Sequence, residues 1–503
     1  MKAAAFTLTA ALAAACTAHS ACAPRVQWQL TLGEPYLAEN VIDLKTGTNG
    51  SFRVLAYAET MLPGNQVTSS YVTLWFDADG HLLSRDVLFP PVPSYGVALA
   101  LPNGDFILSG RYRSQATAGT DYYVARVDHS WQSRWVQILG GDSDDDLTGV
   151  RATRDGGFLV GGLSFSAPSG NKTSPYYGNS DFWVVRLDAN GRELWEQSYG
   201  GTGREWLTSF QEVAEGGFIL GGWSTSPPSG NKTSPFFGNT TIGDYWVVRI
   251  GADGTRLWDR SFGGTEHDFL SSVQQTRDGG YILGGWSGSP ASGNKTAPYL
   301  GGNDFWLVRL DANGNRLWDK SFGGTNSTEG LGFILERPDG GFIATGFGYI
   351  DPFLGSFSYL GGVMWRVDAA GNTLWSQTLR PGENANINAL TPTADGGFLL
   401  SGSTVQNNAS DIWIAKLSSE VCDSDNDGVP DELDRCPGTR EGTVVDANGC
   451  SIEQLCPCAT ARNHGQYLQC VRTQSERFVA AGLLSQSEAE ELLKAARNSD
   501  CGR

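Results

Sequence analysis

Asp278-Gly279-Gly280-Tyr281-Ile282-Leu283-Gly284-Gly285-Trp286, followed by Asp304-Phe305-Trp306-Leu307-Val308-Arg309-Leu310-Asp311-Ala312-Asn313-Gly314 and then Arg316 to Phe322, is the stretch on which the fold turns. Two glycines after an acid make a tight reversal, and the apolar run that follows reads as a strand. Ser271 to Thr276 precedes that turn as a first strand, Tyr281 to Trp286 is the second, Asp304 to Leu310 the third, and Arg316 to Phe322 the fourth. Asp311-Ala312-Asn313-Gly314 reverses the chain between the last two. The unit is therefore a four-stranded antiparallel sheet.

The same turn recurs at Asn49-Gly50, Asn103-Gly104, Asp155-Gly156, Glu215-Gly216, Asp339-Gly340 and Asp395-Gly396, with glycine intervals of 54, 52, 60, 63, 61 and 56 residues. This period fits one propeller blade with long loops, and there are seven units. The last unit stops after a third strand, Asp411 to Leu417, while the chain opens with the strand-four-like Val26 to Gly33. The first strand is expected to complete the last blade, leaving no open sheet edge around the ring. Tryptophans recur in strand four (Trp135, Trp195, Trp258, Trp318, Trp375) and in strand three (Trp183, Trp246, Trp306, Trp365, Trp413), and read as packing between blades.

Composition agrees. The 503 residues exceed one ordinary core, charged residues make up only 18%, and 65 glycines against 21 prolines suit many tight turns. With 54 acids against 36 bases the formal charge is −18, which speaks against nucleic acid as a partner. Met1-Lys2 and the uncharged run Ala3 to Ala15 have the form of a secretory signal, ending among small residues by about residue 23. Cys16 is a weaker candidate for a lipid-bearing cysteine, because Ala13 stands where such a motif prefers leucine. After that segment no run is long and apolar enough to span a bilayer, so no transmembrane segment is expected in the mature chain. The expected organisation is 1–23 signal, 24–418 propeller, 419–451 calcium-binding linker and 452–503 cysteine-containing helical tail.

The glycine-rich turns, the Phe-Ile-Leu-Gly-Gly strand and Asp-Phe-Trp-Val-Val-Arg-Leu-Asp-Ala-Asn-Gly resemble the secreted bacterial seven-bladed β-propeller repeat family over about residues 26–418. The resemblance implies an all-β fold and an exported setting, and little about activity.

Strand order places the two-to-three and four-to-one connections on one face. In the third to fifth units the two-to-three loop carries Ser-Gly-Asn-Lys-Thr-x-Pro and an aromatic residue, so Lys172, Lys232 and Lys295 with Tyr176, Phe236 and Tyr299 form a candidate ligand face for carbohydrate or anionic groups. Asp145, Glu205, Asp268 and Glu329, after the four-to-one glycines, are expected near the central opening on that face. The alternative is that duplication copied these loops, their amides and threonines closing turns and their acids capping strand entry.

Asp423, Asp425, Asp427, Asp431 and Asp434 fall at positions one, three, five, nine and twelve of a loop with Gly428 at six and Val429, a carbonyl donor, at seven. That spacing wraps oxygens around calcium. With Cys436-Pro437-Gly438-Thr439 and Val445 to Cys450 it resembles a bacterial thrombospondin type 3 repeat over about 422–450, which implies the same ligand set. The cysteines from Cys422 to Cys501 read as disulfides of an oxidising compartment. Their odd number leaves Cys22 as a partner or one thiol free, with zinc at Cys456-Pro457-Cys458 a poorer reading because the gap is short. Two helices are expected at about 465–481 and 488–498, the second opened by the box Ser485 to Glu488.

His81, His129, His267 and His464 are scattered, so catalysis is not expected, and His267 beside Asp268 reads as a solvated turn histidine more readily than as an acid–base pair. The reading is of an exported calcium-binding propeller that binds or adheres in the periplasm, at the cell envelope or outside it, to a carbohydrate, an anionic envelope ligand or a protein. The rivals are a scaffold for envelope protein assembly and a quinoprotein-like dehydrogenase, since Asp-Ala-Asn-Gly-x-x-Leu-Trp resembles that class's docking motif.

Overall fold

The computed structural model describes residues 23–32, 37–47, 49–62, 66–88, 96–113, 119–238, 241–324, 327–350, 358–382, 385–406, 409–420, 425, 427–429, 431, 433–440 and 442–502. The secretory-signal reading, Cys16, Cys22, Cys422 and Asp423 lie outside them. The described chain falls into two compact units, residues 26–417 apart from 374–376, and a second built mainly on 418–503.

The first unit is a seven-bladed propeller of four-stranded antiparallel sheets. Blade five runs Asp268–Gln275, Tyr281–Ser287, Asp304–Leu310 and Arg316–Phe322, so the expected third and fourth strands match, and the first begins three residues earlier than expected. The earlier start follows from a bulge between Leu270 and Ser272, which resets the register and lets Asp268 pair with Ser287. Blades three, four and six carry bulges at the same place, between Leu147 and Gly149, Leu207 and Ser209, and Leu331 and Phe333. The bulged Thr148 and Thr208 donate their hydroxyls to Leu207 O and Leu270 O at 2.6 and 2.7 Å, so each inner strand is tied to the next.

First strands neighbour one another around the whole ring, blade seven meeting blade one. Blade seven is completed by Val26–Leu32, which pairs antiparallel with Ala409–Leu417. Blades adhere through rings: the strand-three tryptophans Trp183, Trp246 and Trp306 lie 4.6–4.8 Å from Tyr122, Phe182 and Tyr245 of the preceding blade. Strand-four Trp135, Trp195, Trp258 and Trp318 lie 5.7–6.3 Å from Phe158, Phe218, Tyr281 and Phe342 of the next. In blades two to seven a strand-three cation clamps the one-to-two turn, as Arg309 does on Asp278 at 2.6 Å and Lys416 on Asp395 at 2.8 Å.

Among the described residues the second unit holds three α-helices, α1 (Ile452–Leu455), α2 (His464–Ala480) and α3 (Gln486–Arg497). Ser485 is the N-cap of α3, with Glu488 at the third helical position, so the helix starts two residues before the expected point. Disulfides join Cys436 to Cys450, Cys456 to Cys470 and Cys458 to Cys501. The pairings of Cys456 and Cys458 leave no thiolates for the zinc reading. Among the described residues no helix is long and apolar enough to cross a membrane.

Candidate functional site

The Ser-Gly-Asn-Lys-Thr loops do not present their lysines. Lys172, Lys232 and Lys295 are 1%, 2% and 3% exposed, which corrects the expectation of a cationic ligand face. Each ammonium donates to carbonyls of its own loop: Lys172 to Ser174 O at 2.8 Å, Lys232 to Ser234 O at 2.7 Å and Lys295 to Ser289 O at 2.8 Å. Burial holds Lys232 down to about 8, against the pull of Asp259, Glu205 and Asp244. The rest of the motif is also consumed. Asn231 accepts from Gly200 N at 2.9 Å and donates to Ser198 O at 2.8 Å, and Asp259 collects Thr233 N, Ser234 N and the indole of Trp246. The loop is a staple between strands.

The four acids expected at the central opening are likewise buried, which corrects their placement on a ligand surface. Asp145, Glu205 and Asp268 accept from Gly141 N, Gly201 N and Gly264 N at 2.7–2.9 Å and from Ser166, Ser226 and Ser289 hydroxyls, and Glu329 is buried at the equivalent place. A second acid faces each across one glycine. A Cβ at Gly200 would sit 1.9 Å from Asp181 Oδ1 and 2.7 Å from Glu205 Oε2, and Gly140, Gly263 and Gly323 are hemmed in the same way by Asp121, Asp244 and Asp304 with their partners. Burial, with the neighbouring acid adding to it, pushes Asp181 and Asp244 up to about 7. Asp181 Oδ1 and Asp244 Oδ1 are buried without a hydrogen-bond acceptor or donor, as befits carboxyls that hold their own protons.

The loop aromatics stay outside: Tyr176 and Tyr299 are 40% and 49% exposed, and Phe236 is half-buried. Beside them lies a feature the sequence reading passed over. Trp206 pairs with Trp223 across the first two strands of blade four, and Phe269 with Trp286 across those of blade five. The rings run on as Trp206–Trp223 (5.9 Å, stacked), Trp223–Phe269 (5.8 Å) and Phe269–Trp286 (5.4 Å, stacked). Trp206 is 38% exposed and the other three are half-buried. They stand where strand one begins and strand two ends, on the face of the two-to-three and four-to-one loops. Phe347 of blade six holds the equivalent place, over Gly330, which leaves room for its ring. The signal available in sequence was Gly-Gly-Trp closing strand two in the fourth and fifth units only.

His267 is exposed beside Trp286, whereas Asp268 turns inward to Gly264 and Ser289, so the two do not act as an acid–base pair.

In the linker, carboxylate oxygens of Asp425, Asp427 and Asp434 gather within 4.8 Å of one another. Asp425 Oδ2 accepts from Gly438 N and Thr439 N at 2.7 and 2.6 Å, Asp427 Oδ1 from Val429 N at 2.8 Å, and Asp434 Oδ1 from Cys436 N at 2.7 Å. Asp425 Oδ1 is buried and has no hydrogen-bond partner, as a cation ligand would be. Gly428 takes φ +100°, the conformation the sixth loop position needs. Asp431 is exposed. A second group, Asp77, Asp79 and His81, is largely exposed, and Asp77 already accepts from Asp79 N and His81 N at 3.0 and 2.8 Å.

No family model matches the chain. Over 181 residues, 31% of this chain, it is 26% identical to the regulatory protein FlaEY of Caulobacter vibrioides, covering 19% of that protein. Over 78 residues, 15% of this chain, it is 38% identical to an alpha-agarase of Alteromonas agarilytica, covering 5% of that protein. The chain thus spans under a fifth of either relative. Among solved structures it is similar to an acylaminoacyl peptidase of Pyrococcus horikoshii, at 10% identity and a TM-score of 0.37 over 75% of this chain and 51% of that one.

Proposed function

We propose that this is an exported, calcium-binding propeller protein acting as a non-enzymatic binding or adhesion module at a bacterial envelope or outside the cell, and that its ligand is carbohydrate. The observation that carries this reading is the partly exposed run Trp206–Trp223–Phe269–Trp286 on the loop face of a rigid ring. Flat rings offer large apolar faces at low entropic cost to the C–H faces of sugars, and loops on a rigid scaffold are the usual seat of recognition. Identity to part of an alpha-agarase, an enzyme named for a polysaccharide, leans the same way. Disulfides support an oxidising compartment. The resemblances to secreted propeller repeats and to a thrombospondin type 3 repeat belong to this same reading.

Asp425, Asp427 and Asp434, with Asp423, Asp431 and the Val429 carbonyl completing the set, would hold calcium, whose charge relieves their mutual repulsion and stiffens the linker.

The test is retention of the full-length protein on agarose, chitin and envelope polysaccharides, beside Trp206→Ala and Trp286→Ala variants. Binding by the parent, reduced about tenfold or more in each variant (about 1.4 kcal/mol), supports the reading. Binding unaffected by both variants, or no retention on any polysaccharide, sinks it.

A further inference from the structure

The second unit has a hollow of its own. Its small core, Ile452, Val471, Phe478 and Ala496 with Leu455 and Leu493 against it, is braced by the Cys456–Cys470 and Cys458–Cys501 bridges. α3 buries Ala496 in that core and Ala489 beside it, and leaves Leu492 39% exposed on another side. There a hollow of about 570 Å³ opens between α1, α2 and α3, floored by Ile452, Phe478, Leu484 and Leu492. That volume suits two or three side chains.

Its rim has one sign of charge. Glu453, Glu488 and Glu491 border it, and among the described residues no lysine or arginine lines it. Lys494 and Arg497 border an adjoining hollow on the far side of Glu491, with Ser487 and Glu490. Glu488 and Glu491 stand one turn apart on α3, in line with Leu492 and Ala495, so the helix offers an apolar stripe edged by carboxylates. An aliphatic segment without charge would leave these acids unmatched, and an acidic segment would be repelled.

We infer that this hollow docks a short amphipathic segment of a partner protein, its leucine-like side chains seated on Ile452, Phe478, Leu484 and Leu492 and its flanking lysines or arginines paired with Glu453, Glu488 and Glu491. The mode is a helix or strand laid into a groove, with apolar anchors supplying affinity and the rim supplying charge selection. The tail then recruits a protein while the propeller faces its own ligand, and the inference does not depend on what the propeller binds.

Fluorescence anisotropy of the full-length protein tests it with three synthetic helical peptides: leucine–lysine, the same with glutamate for lysine, and the same with alanine for leucine. The leucine–lysine peptide is expected to bind, and to weaken about tenfold in both a Glu453→Gln/Glu491→Gln double variant and Leu492→Ser, while Glu490→Gln, outside the hollow, binds as the parent does. Unchanged melting and intact disulfides in the variants exclude loss of fold. Equal binding of the alanine–lysine peptide would reduce the effect to general attraction by an acidic chain and overturn the inference. So would preference for the glutamate peptide, indifference to the hollow variants, or self-association abolished by those variants, which would place a second copy of this chain in the hollow.

Discussion

A buried ammonium decides more about this propeller than any exposed one. Lys232 lies among Asp259, Glu205 and Asp244, donates to Ser234 O and Pro235 O, and is 2% exposed. Removing one partner of such a cluster leaves orphaned carbonyls and uncompensated carboxylates, so Lys232→Met is expected to cost roughly 3 kcal/mol in urea denaturation. A folded remainder of that variant should bind as the parent does, and normal stability with lost binding would return the lysines to recognition. The paired acids set a pH dependence. The unfolded chain releases the Asp181 and Asp244 protons near 3.8 and the folded chain near 7, so the folded state holds extra protons between. Their contribution is complete below about pH 4 and is lost as pH rises through about 7. Asp155 and Asp395, each held near 2 chiefly by Thr153 and Lys416, act the other way, losing their contribution as pH falls from about 4 toward 2. Asp244→Asn should therefore shrink the decline in urea midpoint between about pH 4 and 7, and an unaltered slope would show that the proton sits elsewhere.

At the scale of elements, the two-to-three loop and the linker loop make a contrast. The first satisfies its polar atoms internally, so its repetition in blades three to five reflects one structural solution used three times. The second brings three carboxylates together and leaves Asp425 Oδ1 buried without a donor, which asks for a cation. Calcium titrated into the full-length protein by calorimetry should bind, and Asp425→Asn or Asp434→Asn should weaken it about tenfold or more. Chelation should open the segment to trypsin at Arg435 and Arg440. Calcium-independent cleavage, with no heat on titration, would remove the metal from the linker.

For the whole molecule the closing strand is decisive. Val26–Leu32 covers the edge of Ala409–Leu417, and without it a row of backbone donors and acceptors would face solvent. Deletion of residues 26–32 should turn a monodisperse protein into aggregates on size-exclusion chromatography, and a monodisperse deletion variant would show that the ring holds without its seal. The blade count, blade five's strand-three and strand-four boundaries, and this closure were legible in sequence because turn chemistry and period are local and recur seven times. Less of the candidate site was legible. The lysines looked like ligands because a lysine in a polar loop is ordinarily solvated, and only the folded loop, with each ammonium turned onto its own carbonyls and Trp183 and Trp306 beneath Lys172 and Lys295, shows otherwise. The aromatic run went unread because Trp206 and Trp223, or Phe269 and Trp286, are distant in sequence and adjacent only across paired strands.

What the amino-acid sequence by itself determined is the set of things fixed by short-range chemistry: glycine turns, strand alternation, helix caps, cysteine-rich tail and carboxylate spacing. Tertiary structure alone decided which polar side chains face solvent, because burial depends on what a neighbouring blade places over them. It therefore chose between two uses of the same residues. Lysines and acids that could meet a ligand were turned into the ring's internal staples, and four rings separated along the chain were brought into contact on its open face.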